Sequence, residues 1–222
     1  MRILIVSVIY LEPEWKATRD CIAINQNVCE MLGHTVNLIE VDRKGWGSLS
    51  EAMNRGAKEG EAERYDYIWF VTNVTFNQDA LANMLVYAEN SSFVAIHPAF
   101  NSDHAHLRPI PGGSFTLEVP FIEFTAPLVR ADVFAAFPLD ERMPYWGMDL
   151  DWSYRVMQAG NKLGCCHEVV LGHEYIRNNV KAKRHPITQK RWNARKRTDD
   201  GTRRRLIKLY GKDWKKVLKY TG

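Results

Sequence analysis

The sequence predicts an α/β fold, a mostly parallel sheet with helices on both faces. Three observations carry that expectation. Residues 3–9 form a near-continuous β-branched and apolar run, the pattern of a strand covered on both faces. Strand and helix signals then alternate as βαβαβαβ up to residue 98. Glycines stand where helical spacing stops, at Gly33 and Gly160.

The elements follow in order. After the first strand, Ala17, Cys21, Ile24, Val28 and Met31 with Leu32 recur at helical spacing over 17–32, and Gly33 ends them. Residues 36–42 read as a second strand ending in Asp42, and a helix follows near 50–60. A third strand is expected at 67–72, a helix at 78–90 and a fourth strand at 93–98. The stretch 99–119, with Pro109, Pro111, Gly112 and Gly113, breaks the rhythm and reads as a long loop, functional or mobile. Apolar strand and helix signals return at 120–135, a helix is expected at 149–160 and a short strand at 168–171. A basic tail begins after about residue 177, and a short helical pair separated at Asp199-Asp200-Gly201 is expected in it.

Length and composition bound the rest. The 222 residues are 45% hydrophobic and 25% charged, which is globular and excludes collagen-like, wholly disordered and membrane-embedded chains. The net charge of +4 conceals a split: residues 181–222 carry 16 Lys and Arg against 3 Asp and Glu, leaving a net of −9 on residues 1–180. An acidic body with a strongly basic end points to a polyanionic partner. No run is long and apolar enough to span a membrane, and no signal peptide is read in MRILIVSVIY. Cys21, Cys29, Cys165 and Cys166 form no CxxC pair and read as free thiols in a reducing cytoplasm, so a cytoplasmic location is expected.

Ligands of open parallel sheets bind outside the carboxyl ends of the strands. Those ends are expected to hold Tyr10, Asp42, Asn73 and His97. No GxGxxG follows the first strand and no GxxxxGK[ST] occurs, so a bound nucleotide needs a metal ion or basic side chains for its phosphates. The densest polar cluster is YWGMDLDWSYRVMQAG at 145–160, where Asp149 and Asp151 open a helix. N-capping is the plain reading of both, but Arg155, Gly160 and His173 follow at set distances. His104 and His106 form an HxH with no third ligand nearby, and read as a pair on a mobile loop. Trp146, Trp152 and Tyr154 surround the aspartates, and pattern alone does not sort stacking platform from core.

Across 125–175 the sequence resembles the acceptor half of family-two glycosyltransferases of the GT-A fold. The resemblance is carried by Val129-Arg130, Phe134, Asp140-Glu141, Gly147, Asp149, Asp151, Arg155, Gly160 and His173, in the family's order and spacing. Asn54-x-Gly56 with Gly60, and Asp42, agree more loosely, so that the likeness covers roughly 1–176. It implies a GT-A-like, Rossmann-like domain at 1–176; residues 177–222 lie beyond it and read from their own pattern as a basic, helical extension. It further implies an enzyme, a hexosyl- or pentosyltransferase moving a sugar from a nucleotide-sugar donor to a hydroxyl acceptor with inversion. Asp149 is implied as the base, with Asp151 beside it. Asp42, Asn54, Asn73 and Arg155 are implied on the donor, and Tyr10 is placed to stack near its base. A divalent cation, Mn²⁺ or Mg²⁺, is implied at the diphosphate. Here the chain departs from the pattern, because Asn73 stands where an acidic ligand is expected. Three outcomes stay open: weak metal binding through Asn73 and His173, catalysis by Arg or Lys without metal, or a silent enzyme. His173 is equally readable as a strand-end histidine held in the core.

The tail interleaves Trp192, Tyr210 and Trp214 with Lys183, Arg184, Lys190, Arg191, Arg195, Arg203, Arg204 and Arg205. It reads either as a solvated helical cover or as a polyanion dock. A compact enzyme with such a tail resembles the DNA-glycosylating enzymes of bacteriophages, which suggests DNA bearing a hydroxylated base as acceptor and the tail as its DNA-binding part. A cell-envelope or lipid-linked glycan acceptor is the alternative. A catalytically silent nucleic-acid-binding module and a plain Rossmann-like half-domain are the competing classes.

Overall fold

A computed structural model describes residues 1–9, 12–43, 47–102, 104–110, 112, 116–172 and 189–220, with the side chains of 12–14, 116 and 189–197 outside that description. The chain runs β1 (Arg2–Ile9), α1 (Glu12–Met31), β2 (Thr35–Asp42), α2 (Leu49–Glu59), β3 (Tyr67–Val71), α3 (Ala80–Glu89) and β4 (Phe93–Phe100). It continues through β5 (Thr116–Glu118), β6 (Leu128–Arg130), α4 (Ala131–Ala136), α5 (Met148–Gln158), β7 (Lys162–Leu171), α6 (Gln189–Tyr210) and α7 (Trp214–Val217).

The strands form one mixed sheet in the order β2-β1-β3-β6-β4-β7-β5. β1 pairs in parallel with β2 and β3, and β4 with β7. Short β6 runs antiparallel between β3 and β4, and β5 antiparallel along β7. β1, β2, β3, β4 and β7 therefore share one direction. Ile3, Leu4, Ile5, Val6 and Val8 are buried, as expected of an apolar run with no solvent face. β2 lies at the sheet edge and alternates, with Val36 and Val41 buried and Asn37 and Asp42 exposed.

The helices are fixed by specific bonds. Ser48 caps α2, its Oγ accepting from the Glu51 N–H at 3.1 Å. Buried Asn25 of α1 accepts from the Leu81 N–H at 2.8 Å and donates to the Asn77 carbonyl at 2.8 Å, tying α1 to the start of α3.

Four expectations need correction. β7 begins at Lys162, well before 168. Gly164-Cys165-Cys166 carries no β-branched signal, but pairing to β4 on one side and β5 on the other fixes it as strand. β4 continues past Pro98 to Phe100 through a register shift, where a proline is tolerated. His97 is thus inside the strand, fully buried, with Nδ1 2.5 Å from the Pro98 carbonyl oxygen. The histidine pair is packed rather than loose: His104 and His106 both stand edge-on to Phe121, and His104 contacts Tyr220. Burial lowers His106 to about 4. Finally, α6 runs unbroken through Asp199-Asp200-Gly201, and the break comes at Gly211, at φ +80°. Leu206, Trp214 and Leu218 are buried, so this end of the chain is packed against the rest.

Candidate active site

The parallel register sets the ends of the central strands side by side. Ile9 pairs with Asp42 and Ser7 with Val71. Beyond β3, the Thr72 N–H and hydroxyl both donate to the Thr125 carbonyl, at 3.0 and 3.1 Å, and Asn73 follows, 5% exposed. Because α5 immediately precedes β7, it runs back across the sheet and its N-terminus opens at this same carboxyl edge. Trp152 anchors it in the core, edge-on to Phe124 with Nε1 donating to the Phe137 carbonyl at 2.6 Å. Ser153 accepts from the Ile122 N–H at 3.2 Å. The loop into α5 is joined to the end of β2. Leu49 N–H donates to the Pro144 carbonyl at 2.7 Å, and the Arg43 guanidinium lies 5.5 Å from the Tyr145 ring centroid. Asp42, Asn73 and Asp149 therefore share one edge.

Asp149 sits in the first turn of α5, partly open to solvent, its Oδ1 accepting from the Leu150 N–H at 2.9 Å. Burial raises its carboxyl to about 6, against the opposing pull of backbone N–H groups. That is the range in which a carboxylate is ionised at neutral pH yet basic enough to accept a proton from a hydroxyl.

Asp151 has a different occupation. It is buried, its Oδ2 accepting from Arg155 Nε at 2.8 Å and its Oδ1 from the Tyr210 hydroxyl at 2.5 Å. Arg155 also donates to the Pro138 carbonyl at 2.7 Å. Asp151 and Arg155, both expected at the reaction centre, hold the helix in this arrangement, and both also line an open cleft. Asn54 is likewise engaged in structure: it donates to the Leu139 carbonyl and Glu141 and accepts from the Leu139 N–H. Asp42 is exposed at the end of β2, its carbonyl accepting from Arg55. Of the aromatics, Trp152 is core, Trp146 packs on Trp214, and Tyr154 stands edge-on to Tyr210.

An open cleft of about 600 Å³ lies beside this network, between Asn54, Pro138–Arg142, Asp151, Arg155 and α6. Asp140 is its charged hub, receiving Arg142 at 2.7 and 2.9 Å and Arg205 at 3.1 and 3.2 Å. Burial pushes the Asp140 carboxyl up, but these bonds outweigh it and leave it below the usual range.

α6 has two faces. Thr202, Leu206 and, partly buried, Arg205 and Tyr210 point to the body, while Arg203, Arg204 and Lys208 are exposed. Arg205, expected in the polyanion-binding set, is instead paired with Asp140 and faces the body. Tyr10, His173, Lys183 and Arg184 lie outside the described residues, as do the side chains of Lys190, Arg191 and Arg195. Sequence reading missed Tyr210, whose signal was the i, i+4, i+8 row of Thr202, Leu206 and Tyr210.

The implied cation finds little support in these side chains. Among the described residues no three of His, Cys, Asp and Glu converge to hold a metal ion. Asn73 offers an uncharged amide where a tight site for Mg²⁺ or Mn²⁺ wants carboxylate oxygens. The described donors do not fit a firmly held cation, although Gly172, bridged to Thr75, brings the chain back beside the end of β3. The four cysteines are free, and no described helix is long and apolar enough to cross a membrane.

No family model and no curated protein matches the chain. Solved structures do. S. aureus TarS, residues 1–349, superposes with a TM-score of 0.50 at 11% identity, over 77% of this chain and 60% of that one, so this chain spans less than two thirds of its length. A mutant of the Drosophila β-1,4-galactosyltransferase 7, complexed with manganese, UDP-Gal and xylobiose, superposes with a TM-score of 0.54 at 14% identity, over 83% of this chain and 75% of that one. At such identities the likeness is one of architecture, and with the sheet order and the placement of α5 it shows that this chain has the GT-A fold.

Proposed function

We propose that this protein is a glycosyltransferase that moves a sugar from a nucleotide-sugar donor to a hydroxyl acceptor, with Asp149 as general base. The observation that carries this reading is a carboxyl raised to about 6 on the N-terminal turn of a helix opening at the ligand-binding edge of a GT-A sheet. Asp149 takes the acceptor's hydroxyl proton as its oxygen bonds to the anomeric carbon. The bond from that carbon to the nucleoside diphosphate breaks on the opposite face, so configuration inverts. The leaving diphosphate carries away the electron pair. The donor lies along the ends of β1 to β3, near Asp42 and Asn73.

The acceptor in this reading is a polyanion, with DNA bearing a hydroxylated base as the favoured class. Arg203, Arg204, Lys208, Lys212, Lys215 and Lys216 are exposed on the C-terminal segment and support it. Asn73 favours a second reading, a silent GT-A module that keeps the fold and the basic face but is protected by no nucleoside diphosphate. Thermal shift with UDP, GDP and TDP sugars, with and without Mn²⁺, separates them. A donor that raises the midpoint supports the transferase, and no shift with any donor overturns it.

A further inference from the structure

We infer that α6 is a clamp on the turn that presents Asp149, and that Tyr210 is a positioning residue of the active site. The inference rests on Asp149 being the base proposed above. Three separate contacts from the C-terminal segment converge on residues 146–151. Tyr210 donates its hydroxyl to Asp151 Oδ1 at 2.5 Å. Thr202 and Leu206 fill the space over Gly147, where an added Cβ would stand 2.7 Å from Thr202 Cγ2 and 3.3 Å from Leu206 Cδ1. Trp214 packs on Trp146, ring centroids 6.2 Å apart. These contacts flank Asp149 on both sides, and the Asp151 N–H closes the turn onto the Gly147 carbonyl at 2.9 Å.

The turn needs holding. Gly147 enters α5 at φ +79° and, as a glycine, offers no capping side chain; the Leu150 N–H is instead taken by Asp149 itself, so the local restraint on this turn falls on the carboxylate that is to act as base. Asp151 supplies another from inside the helix by taking Arg155 on Oδ2, and α6 completes it from outside through Oδ1. Arg205, on the same face of α6, fixes that helix to Asp140. Burial and the bond to Asp151 both push the Tyr210 phenol up, so it remains a donor throughout the working pH range. A base displaced by about 1 Å loses up to ~100-fold in rate, so a hydroxyl that never touches substrate can govern turnover.

The test compares the full chain with Tyr210→Phe and Asp149→Asn. Three readouts are taken: amide exchange across 147–151, thermal midpoint, and release of UDP from UDP-galactose with Mn²⁺. In Tyr210→Phe we expect exchange of that turn to rise about tenfold, with the midpoint nearly unchanged. We also expect kcat to fall about tenfold with KM for UDP-galactose unchanged. Exchange at 147–151 equal to wild type overturns the clamp, whatever the turnover. Exchange raised across the whole chain with a lowered midpoint also overturns it, because Tyr210 is then a general brace. A donor KM that rises with kcat intact assigns Tyr210 to binding and contradicts positioning. If Asp149→Asn turns over like wild type, or wild type does not release UDP, the base reading or the probe donor fails, and the clamp is decided on exchange alone.

Discussion

Asp149→Asn should stabilise the fold, and by an amount that depends on pH. The carboxyl is raised from an ordinary 3.8 to about 6 because burial penalises its charge. That displacement corresponds to about 3 kcal/mol at full burial. Asp149 keeps some contact with solvent, which reduces the expected effect to about 1–2 kcal/mol. The folded carboxyl holds its proton up to about pH 6, while the unfolded one releases it near 3.8. The native state therefore binds more protons in that window, and wild-type stability falls as pH rises through it. Asparagine has no such term. The variant should match wild type below about pH 4 and exceed it by about 1–2 kcal/mol at about pH 8. Urea denaturation of both proteins across this range measures the difference, in which other carboxylates cancel. A difference independent of pH, or an asparagine variant weaker at about pH 8, refutes the claim that burial raises this carboxyl. A gain in stability alongside a loss of turnover is the signature of a group placed for chemistry at the expense of the fold.

Other expectations follow from the same geometry. Gly147→Ala combines a left-handed backbone with a methyl group pressed on Thr202, and should cost about 2–4 kcal/mol in urea denaturation. A change under 0.5 kcal/mol would show that α6 does not seat there. Arg205→Gln removes one partner of Asp140 and should cost about 1–2 kcal/mol, a penalty that fades in acid as Asp140 gains its proton. Replacing exposed Arg203, Arg204 and Lys208 together by Gln should leave the thermal midpoint within about 2 °C. It should lower retention on DNA and reduce the salt slope by about 2–3. Unchanged retention would assign that face to solvent alone.

The sequence made the sheet legible where one residue pattern met one environment. β1 was readable because both of its faces are covered, and α2 because its apolar residues, Ala52, Met53, Gly56 and Ala57, fall on one buried face. β7 was not, since Gly164, Cys165 and Cys166 are strand only through the neighbours they pair with. The carboxylates at 149 and 151 were readable as a pair, but their division of labour was not. It depends on Arg155 and on Tyr210, 59 residues downstream, which takes the free oxygen of Asp151. The charge split between body and tail also took on a different meaning. Counted by residue, Arg203, Arg204 and Arg205 are equivalent; on a helix, two face water and the third is held by Asp140.

Whether Asp149 is the base of a nucleotide-sugar transferase is decided by sugar transfer from a radiolabelled donor. Wild type and Asp149→Asn are compared on hydroxymethylated DNA, using the donor found by thermal shift. Label is expected in the acceptor with wild type, and a loss of at least about 100-fold with Asp149→Asn, while donor binding persists. Transfer by the variant at the wild-type rate would contradict that role.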